Sequence, residues 1–261
     1  MTTTGNSMPS TIVTAAVLVI GDEILSGRTK DKNVGYIADF LTALGIDLRE
    51  VRIVPDVEEE IVAALNALRG RYTYVFTTGG IGPTHDDITA DSVARAFAVP
   101  IGYHPEAVAI LKERMARIGG ELNEARMRMA RIPQGAALVP NKVSGAPGFW
   151  IGNVITMAGV PAIMQAMLDE VAPKLKTGAR LLSETIRADA KEGDVGTELG
   201  EIARAHPDAI IGSYPFFDEK LGANTNIVVR SRDATRLAQV KAEVEAMLVR
   251  VKAALAAPAA R

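Results

Sequence analysis

Two rhythms of apolar residues alternate along the first 175 positions. Residues 15–20 (AAVLVI) form an unbroken apolar run, the pattern of a strand buried on both faces. Val34, Ile37, Ala38, Leu41 and Leu44 then recur at helical spacing and stop at Gly45. Residues 48–54 read as strand. Val57, Ile61, Leu65 and Leu68 form a helical stripe, and 73–77 is a short strand running into a glycine-rich loop. Residues 88–99 continue as helix up to Pro100. His104-Pro105 opens another helix, with Val108, Leu111, Met115 and Ile118 on one face. A hairpin over 149–157 turns at Gly152-Asn153, and Pro161 begins a helix through Leu175. Strands alternating with helices through short loops predict a mainly parallel sheet covered on both faces, with right-handed crossovers.

The rhythm changes at Thr177-Gly178. Beyond it, 181–188 reads as strand, 194–205 as helix, 209–214 and 225–230 as strands, and 234–254 as a long helix. That order predicts a second, smaller α+β domain. The small polar residues 1–10 are expected to be disordered and the alanine-rich tail after Val251 to fray.

The chain of 261 residues has no cysteine, which excludes disulfides, thiolate catalysis and zinc–thiolate sites and fits a reducing, cytoplasmic setting. A net charge of −2 supplies no global basic field for nucleic acid or membrane. No apolar run approaches the roughly eighteen residues of a membrane span, and 15–20 lacks the charged flank of a signal peptide.

In open α/β sheets ligands bind beyond the carboxyl ends of the strands, where loops 21–33 and 77–89 both open. The second reads Thr77-Thr78-Gly79-Gly80-Ile81-Gly82-Pro83-Thr84-His85-Asp86-Asp87-Ile88-Thr89. Three glycines in four positions let successive N–H groups face one phosphate, with a helix N-terminus behind them. Asp86 and Asp87 beside such a nest make sense with a divalent cation between carboxylate and phosphate. The same letters also fit a plainer reading, in which Thr84-x-x-Asp87 is a capping box and Gly-Gly a tight turn. In the first loop, Glu23 is a candidate metal ligand or a solvated charge, and Asp31 or Asn33 a ligand contact or a helix cap. Lys142, in the loop Asn141-Lys142-Val143-Ser144-Gly145-Ala146-Pro147-Gly148, is a candidate phosphate partner. Of the three histidines only His85 stands near these carboxylates as a candidate acid or base.

Taken in order, several motifs carry a resemblance. They are Gly21-Asp22-Glu23-Ile24-Leu25-x-Gly27, Asp31-x-Asn33, Val54-x-Asp56 and Thr78-Gly79-Gly80-Ile81-Gly82-Pro83-Thr84-x-Asp86-Asp87-x-Thr89. Pro140-Asn141-Lys142, Ala146-Pro147-Gly148, Gly159-Val160-Pro161, Ser183-Glu184-Thr185 and Gly212-Ser213-Tyr214-Pro215 follow. Together they resemble the N-terminal region of the competence/damage-inducible protein A (CinA) family, within the molybdopterin-binding superfamily of adenylyltransferases and gephyrin domains. The region is also similar to the N-terminal part of eukaryotic FAD synthases. The resemblance implies a three-layer α/β/α domain over 11–176 and a small KH-like α+β domain over 177–255. It implies metal-dependent hydrolysis of ADP-ribose or FAD, or alternatively binding and adenylylation of molybdopterin. Asp86 and Asp87 would be catalytic. They would hold Mg, Mn or Co together with Glu23, near Asp22. Thr78, Gly79, Gly80, Gly82, Thr84, Asn33, Lys142 and Gly148 would hold a phosphorylated nucleotide- or pterin-like ligand.

The resemblance further implies a homo-oligomer, for which the methionine-bearing helix 161–175 is the candidate surface. It also implies no deamidating activity, since the sequence ends before the nicotinamide-mononucleotide amidase domain common in the family. Two departures stand out: Val143-Ser144 displaces a glycine, and Ile163 stands where an acid is common. KH domains of other proteins bind RNA through a G-x-x-G loop. Gly193-Asp194-Val195-Gly196 has that form, but its aspartate opposes phosphate.

Overall fold

A computed structural model of the chain describes residues 12–220 and 222–256. The expectation for residues 1–10 lies outside them. The described residues form two compact units, the first ending at Gly178 and the second starting at Ala179.

The first unit begins with β1 (Val13–Ile20), α1 (Asp22–Leu25), α2 (Asn33–Ala43), β2 (Ile46–Val54), α3 (Glu58–Arg69) and β3 (Tyr74–Thr78). It continues with α4 (Thr89–Phe97), β4 (Ile101–Tyr103), α5 (Pro105–Arg117), α6 (Glu124–Met127), β5 (Arg131–Pro133) and β6 (Ala137–Val139). The hairpin β7 (Gly148–Ile151) and β8 (Val154–Met157) and the helix α7 (Pro161–Val171) complete it. Six strands form one sheet in the order β2-β1-β3-β8-β7-β6. β2, β1, β3 and β8 run parallel, and β7 and β6 add antiparallel at one side.

β1 explains the three layers. Ala16, Leu18 and Ile20 pack on one face against Ile61 and Leu65 of α3, Val93 of α4 and Leu111 of α5. Ala15, Val17 and Val19 pack on the other against Ile37 and Leu41 of α2 and Met164 and Leu168 of α7. Both side-chain sets of an alternating strand are therefore buried, and an all-apolar run is what such a strand requires. The helices carry local signals that agree. Glu58, Glu59 and Glu60 start α3 and Arg69 ends it, each sign matching the helix dipole. Pro161 occupies the first turn of α7, where a missing N–H does no harm.

Three expectations for the first unit need correction, and two short strand features were not expected. α4 ends at Phe97, before Pro100, because Ala98 adopts a left-handed conformation (φ 53°) that closes the helix through its own N–H. α7 ends at Val171 and tightens into a 3-10 turn over Ala172–Lys174. Met164 and Met167 are wholly buried against the sheet, so the methionine face of α7 is core and offers no surface to a second copy. β4 pairs with β5 as a small antiparallel ribbon outside the main sheet. Neither that ribbon nor β6 was expected, since three-residue strands beside glycine and proline show no period.

The second unit comprises β9 (Leu182–Arg187), α8 (Glu192–Ala205), β10 (Ile210–Asp218), β11 (Gly222–Ser231) and α9 (Ala234–Ala256). Its antiparallel sheet has the order β10-β11-β9. Ile227 and Val229 of β11 meet Val195 and Leu199 of α8 and Val240, Val244 and Met247 of α9. α9 stays helical to Ala256, well past the Val251 where fraying was expected. Gly193 and Gly196 lie inside α8, and Asp194 accepts the Lys191 N–H at 3.1 Å. The G-x-x-G segment is thus a helix start and not a loop for RNA.

His206 is buried between α8 and β10, and its Nε2 lies 2.7 Å from Glu243 on α9. That hydrogen bond is the main reason the Glu243 carboxyl titrates below its ordinary value of 4.5. A depressed carboxyl favours the fold above the unfolded pKa and loses that contribution as pH falls through the folded value. Acid titration of stability should therefore drop more steeply below about pH 4.5 in the parent than in Glu243→Gln. Far-ultraviolet circular dichroism against pH measures this, and parallel curves would refute it.

Among the described residues no helix is long and apolar enough to cross a membrane.

Candidate functional site

Parallel pairing brings three strand ends to one edge. Val19 lies beside Thr78, and Thr78 beside Met157, so the loops after β1, β3 and β8 emerge together. The glycine loop is pinned at its base. Gly79 N–H donates to Met157 O at 3.2 Å, the Thr89 hydroxyl donates to Gly79 O at 3.0 Å, and Thr89 N–H donates to Gly80 O at 3.0 Å. Gly79 has φ 104° and Gly80 φ 63°, both in the region that favours glycine. A Cβ on Gly79 would lie 2.1 Å from the Ile20 carbonyl oxygen. Gly159 in turn packs onto Gly79, 3.3 Å from its Cα to the position a Cβ would take.

Above this base the N–H groups of Gly80, Ile81 and Gly82 find no acceptor among the described residues. They border an open cleft of about 540 Å³ with Asp87, Glu23, Asn141 and Ser144. Ile81, Pro83, Met129, Val160, Ile163 and Met167 give it an apolar wall. Ile163, the departure from the family's acid, is part of that wall. A second cleft of about 490 Å³ adjoins it and shares Glu23, Thr29, Gly79, Gly159 and Pro161. Thr78 and Asn33 line it from below, and Arg28, Lys30, Asp31 and Lys32 form its charged side.

The carboxylates divide. Asp87 turns back to the loop, where its Oδ2 accepts from Thr84 N–H at 2.8 Å and from the Thr84 hydroxyl at 2.5 Å. It also rests on Gly82, whose absent side chain leaves that room. Half of the capping-box pattern is therefore realised, but Thr84 is not the cap, because α4 starts only at Thr89. Asp86 borders neither cleft. It points to solvent beside His85, whose ring lies 3.9 Å away and is almost fully exposed. The nearby Thr84 hydroxyl, whose single proton in this geometry goes to Asp87, and then the residue's own backbone N–H favour the ionised Asp86 carboxyl and hold it below the usual range.

Asp56, at the end of β2, behaves oppositely. Its Oδ2 accepts the Asp22 N–H at 2.9 Å, yet partial burial and the nearby Asp22, Glu23 and Asp86 carboxylates push its pKa up. This edge of the sheet is thus crowded with negative charge. Among the described residues, no three His, Asp or Glu side chains gather into a cage for a metal ion.

Other expected ligands do different work. Lys142 pairs with Glu170 at 2.5 Å and borders neither cleft, so a phosphate role for it is not supported by its position. Lys142→Ala should accordingly leave affinity for any ligand of the glycine loop within about twofold, as for an exposed pair of little energetic weight; a tenfold loss by calorimetry would contradict this. Gly148 opens β7 and is required for packing, since a Cβ there would lie 2.3 Å from Thr156 O. Asn141 folds its own loop, accepting from Val143 and Ser144 N–H at 2.9 and 3.1 Å. Asp31 caps α2 through Val34 N–H at 2.9 Å.

From the sequence alone Arg28, Lys30, Lys32 and Arg128 had no assigned role, and Asp56 was marked only as part of the Val54-x-Asp56 motif. Arg128 donates to the Asp87 carbonyl at 3.3 Å from behind the loop. The three cations within five residues at 28–32 were a visible signal.

Comparison with known proteins agrees with this architecture. The family described as a probable molybdopterin binding domain matches residues 16–177, and the FAD synthase middle domain matches 180–254. A CinA-like protein of Citrifermentans bemidjiense is 42% identical over 165 residues, covering 61% of this chain and 40% of that protein. A probable FAD synthase of Caenorhabditis elegans is 33% identical over 241 residues, covering 81% of this chain and 46% of that protein. The chain therefore spans less than half the length of these two relatives. The crystal structure of the protein CinA from Thermoplasma acidophilum superposes with a TM-score of 0.58 at 33% identity, over 62% of this chain and 98% of that one. With the family match spanning more than half of its residues, the chain belongs to the molybdopterin-binding-domain family, in its CinA-like branch.

Proposed function

We propose that the protein hydrolyses the diphosphate linkage of a nucleotide of the ADP-ribose or FAD type with the help of a divalent metal ion. The observation that carries this reading is the cleft lined together by Gly80, Ile81 and Gly82, whose amides have no acceptor among the described residues, and by Asp87 and Glu23. Free N–H groups in a row bind phosphate oxygens, and they stabilise charge that builds on those oxygens during reaction. The names of the relatives, a CinA-like protein and a probable FAD synthase, support a nucleotide-type ligand.

The carboxylates support the metal. A magnesium-type ion is commonly held by one or two carboxylates plus the phosphates of its ligand, so a three-residue protein cage is not needed. Asp87 and Glu23 would hold it, and Asp56 beside them has a pKa raised first by its burial and then by the Asp22, Glu23 and Asp86 carboxylates. When bound, such an ion offsets the negative charge of the diphosphate and lowers the pKa of bound water. The amides fix one phosphate, and Asp87, steadied by Thr84, keeps its remaining oxygen free for the cleft. Water attacks one phosphorus, the bridging oxygen leaves with the other, and two monophosphates result.

The apolar wall of Ile81, Met129, Val160 and Met167 favours a second reading. A flat pterin could lie on it with its phosphate in the same loop, without hydrolysis, as the family description suggests. Incubation with ADP-ribose or FAD and Mg²⁺, Mn²⁺ or Co²⁺ separates the two. The hydrolase reading expects AMP release that EDTA abolishes. No AMP with any of these ions, together with a co-purifying fluorescent pterin, would establish the second reading.

A further inference from the structure

We infer that the second cleft is a subsite for a sugar phosphomonoester, so that the preferred ligand carries a phosphate on its sugar end in addition to the group held by the glycine loop. The inference deepens the proposed function and rests on its reading of the glycine loop as a phosphate site.

The cations come first. Arg28, Lys30 and Lys32 border this cleft and not the apolar one, and none forms an ion pair among the described residues. Of the acids beside them, Asp31 is engaged, accepting from Val34 N–H, while Glu23 packs over Gly21, borders both clefts and forms no ion pair with these cations among the described residues. Gly80, Ile81 and Gly82, whose amides are free, line the first cleft and not this one. Two places for an anion therefore lie on opposite sides of the divide formed by Gly79, Gly159 and Thr29. One diphosphate held by the loop leaves the three cations available for a further charge.

The buried wall specifies the rest of the group. Asn33 is only 4% exposed, and its Nδ2 donates to Gly159 O at 2.8 Å. That bond fixes which end of the amide is nitrogen. It leaves Oδ1 buried and without a partner, and Thr78 Oγ1 is likewise buried and unpartnered at 1% exposure. Both residues line the cleft. An amide oxygen only accepts, and so does an ionised phosphate, so a phosphate cannot satisfy Oδ1 whereas a hydroxyl can. A hydroxyl belongs against Asn33, the Thr78 hydroxyl beside it can donate or accept, and the anion belongs at the rim with the cations. A polyol bearing a phosphate meets both demands.

The test compares ADP-ribose with ADP-ribose carrying a phosphate on its terminal ribose, by calorimetry in EDTA so that turnover does not intervene. The phosphorylated ligand should bind about tenfold tighter or more, the size of one charge-assisted contact, and the preference should shrink as salt rises. Lys30→Ala/Lys32→Ala should abolish it. Thr78→Val should weaken both ligands while leaving Tm unchanged or raised, because the hydroxyl it removes has no partner in the free protein. Equal affinities or a preference intact in the double variant would overturn the subsite; should EDTA abolish binding of both ligands, the same preference is expected in KM for AMP release with Mg²⁺, and equal KM values would overturn it. ADP-ribose hydrolysis is assayed separately. A preference without hydrolysis removes the hydrolase reading alone, and hydrolysis without a preference removes the subsite alone.

Discussion

Gly79→Ala is expected to destabilise the first unit by about 3–5 kcal/mol. The added methyl would lie 2.1 Å from the Ile20 carbonyl oxygen, a backbone atom that no rotamer change can move aside. Its φ of 104° adds strain to any L-residue there. Gly119 is the matched control. It also has positive φ (66°), but nothing lies within 4 Å of the position a Cβ would take, so only the conformational penalty of about 1 kcal/mol should appear. Urea unfolding followed through Trp150, the only tryptophan and part of β7, reports this unit directly. A Gly79→Ala midpoint no lower than that of Gly119→Ala would show that the loop does not need its glycine for the reason given.

Asp87→Asn should cut AMP release from ADP-ribose by about a hundredfold or more, an effect of the size seen when a transition-state contact is removed. The substitution keeps an oxygen for Thr84 N–H, so the loop should hold its shape and Tm should change little. If that carboxylate meets the metal and phosphate as proposed, removing its charge should act on kcat far more than on KM. Asp86→Asn, by contrast, alters a solvent-facing group that borders neither cleft and should stay within about threefold. Equal losses in the two variants would return the catalytic role to the pair. A rate within threefold for Asp87→Asn would remove Asp87 from the chemistry.

The sheet was readable because β1 is buried on both faces and the chain spells that out without interruption. The glycine loop was readable for a related reason, since only a backbone with unusual φ or a very close neighbour asks for glycine at Gly79 and Gly80. Sequence could not show that Lys142 meets Glu170, a contact set by how loop 141–148 lies over α7. Nor could it separate Asp86 from Asp87. Adjacent residues on a turn point in different directions, and the direction depends on Thr84. The cations at 28–32 drew no notice because a charged loop is usually solvated, and only the unpartnered Asn33 and Thr78 atoms beneath them change that reading. The G-x-x-G segment was weak evidence for RNA from the start, since Asp194 opposes phosphate and the helix expected from 194 already took in Gly196; the structure starts that helix two residues earlier and takes in Gly193 as well.

Gly79 is held from four sides, by the Ile20 carbonyl, Met157 O, the Thr89 hydroxyl and Gly159. A loop so fixed before any ligand arrives has little conformational entropy left to lose on binding. Its amides need not reorganise to meet an anion. Association at this floor should then be limited by encounter and desolvation rather than by backbone rearrangement.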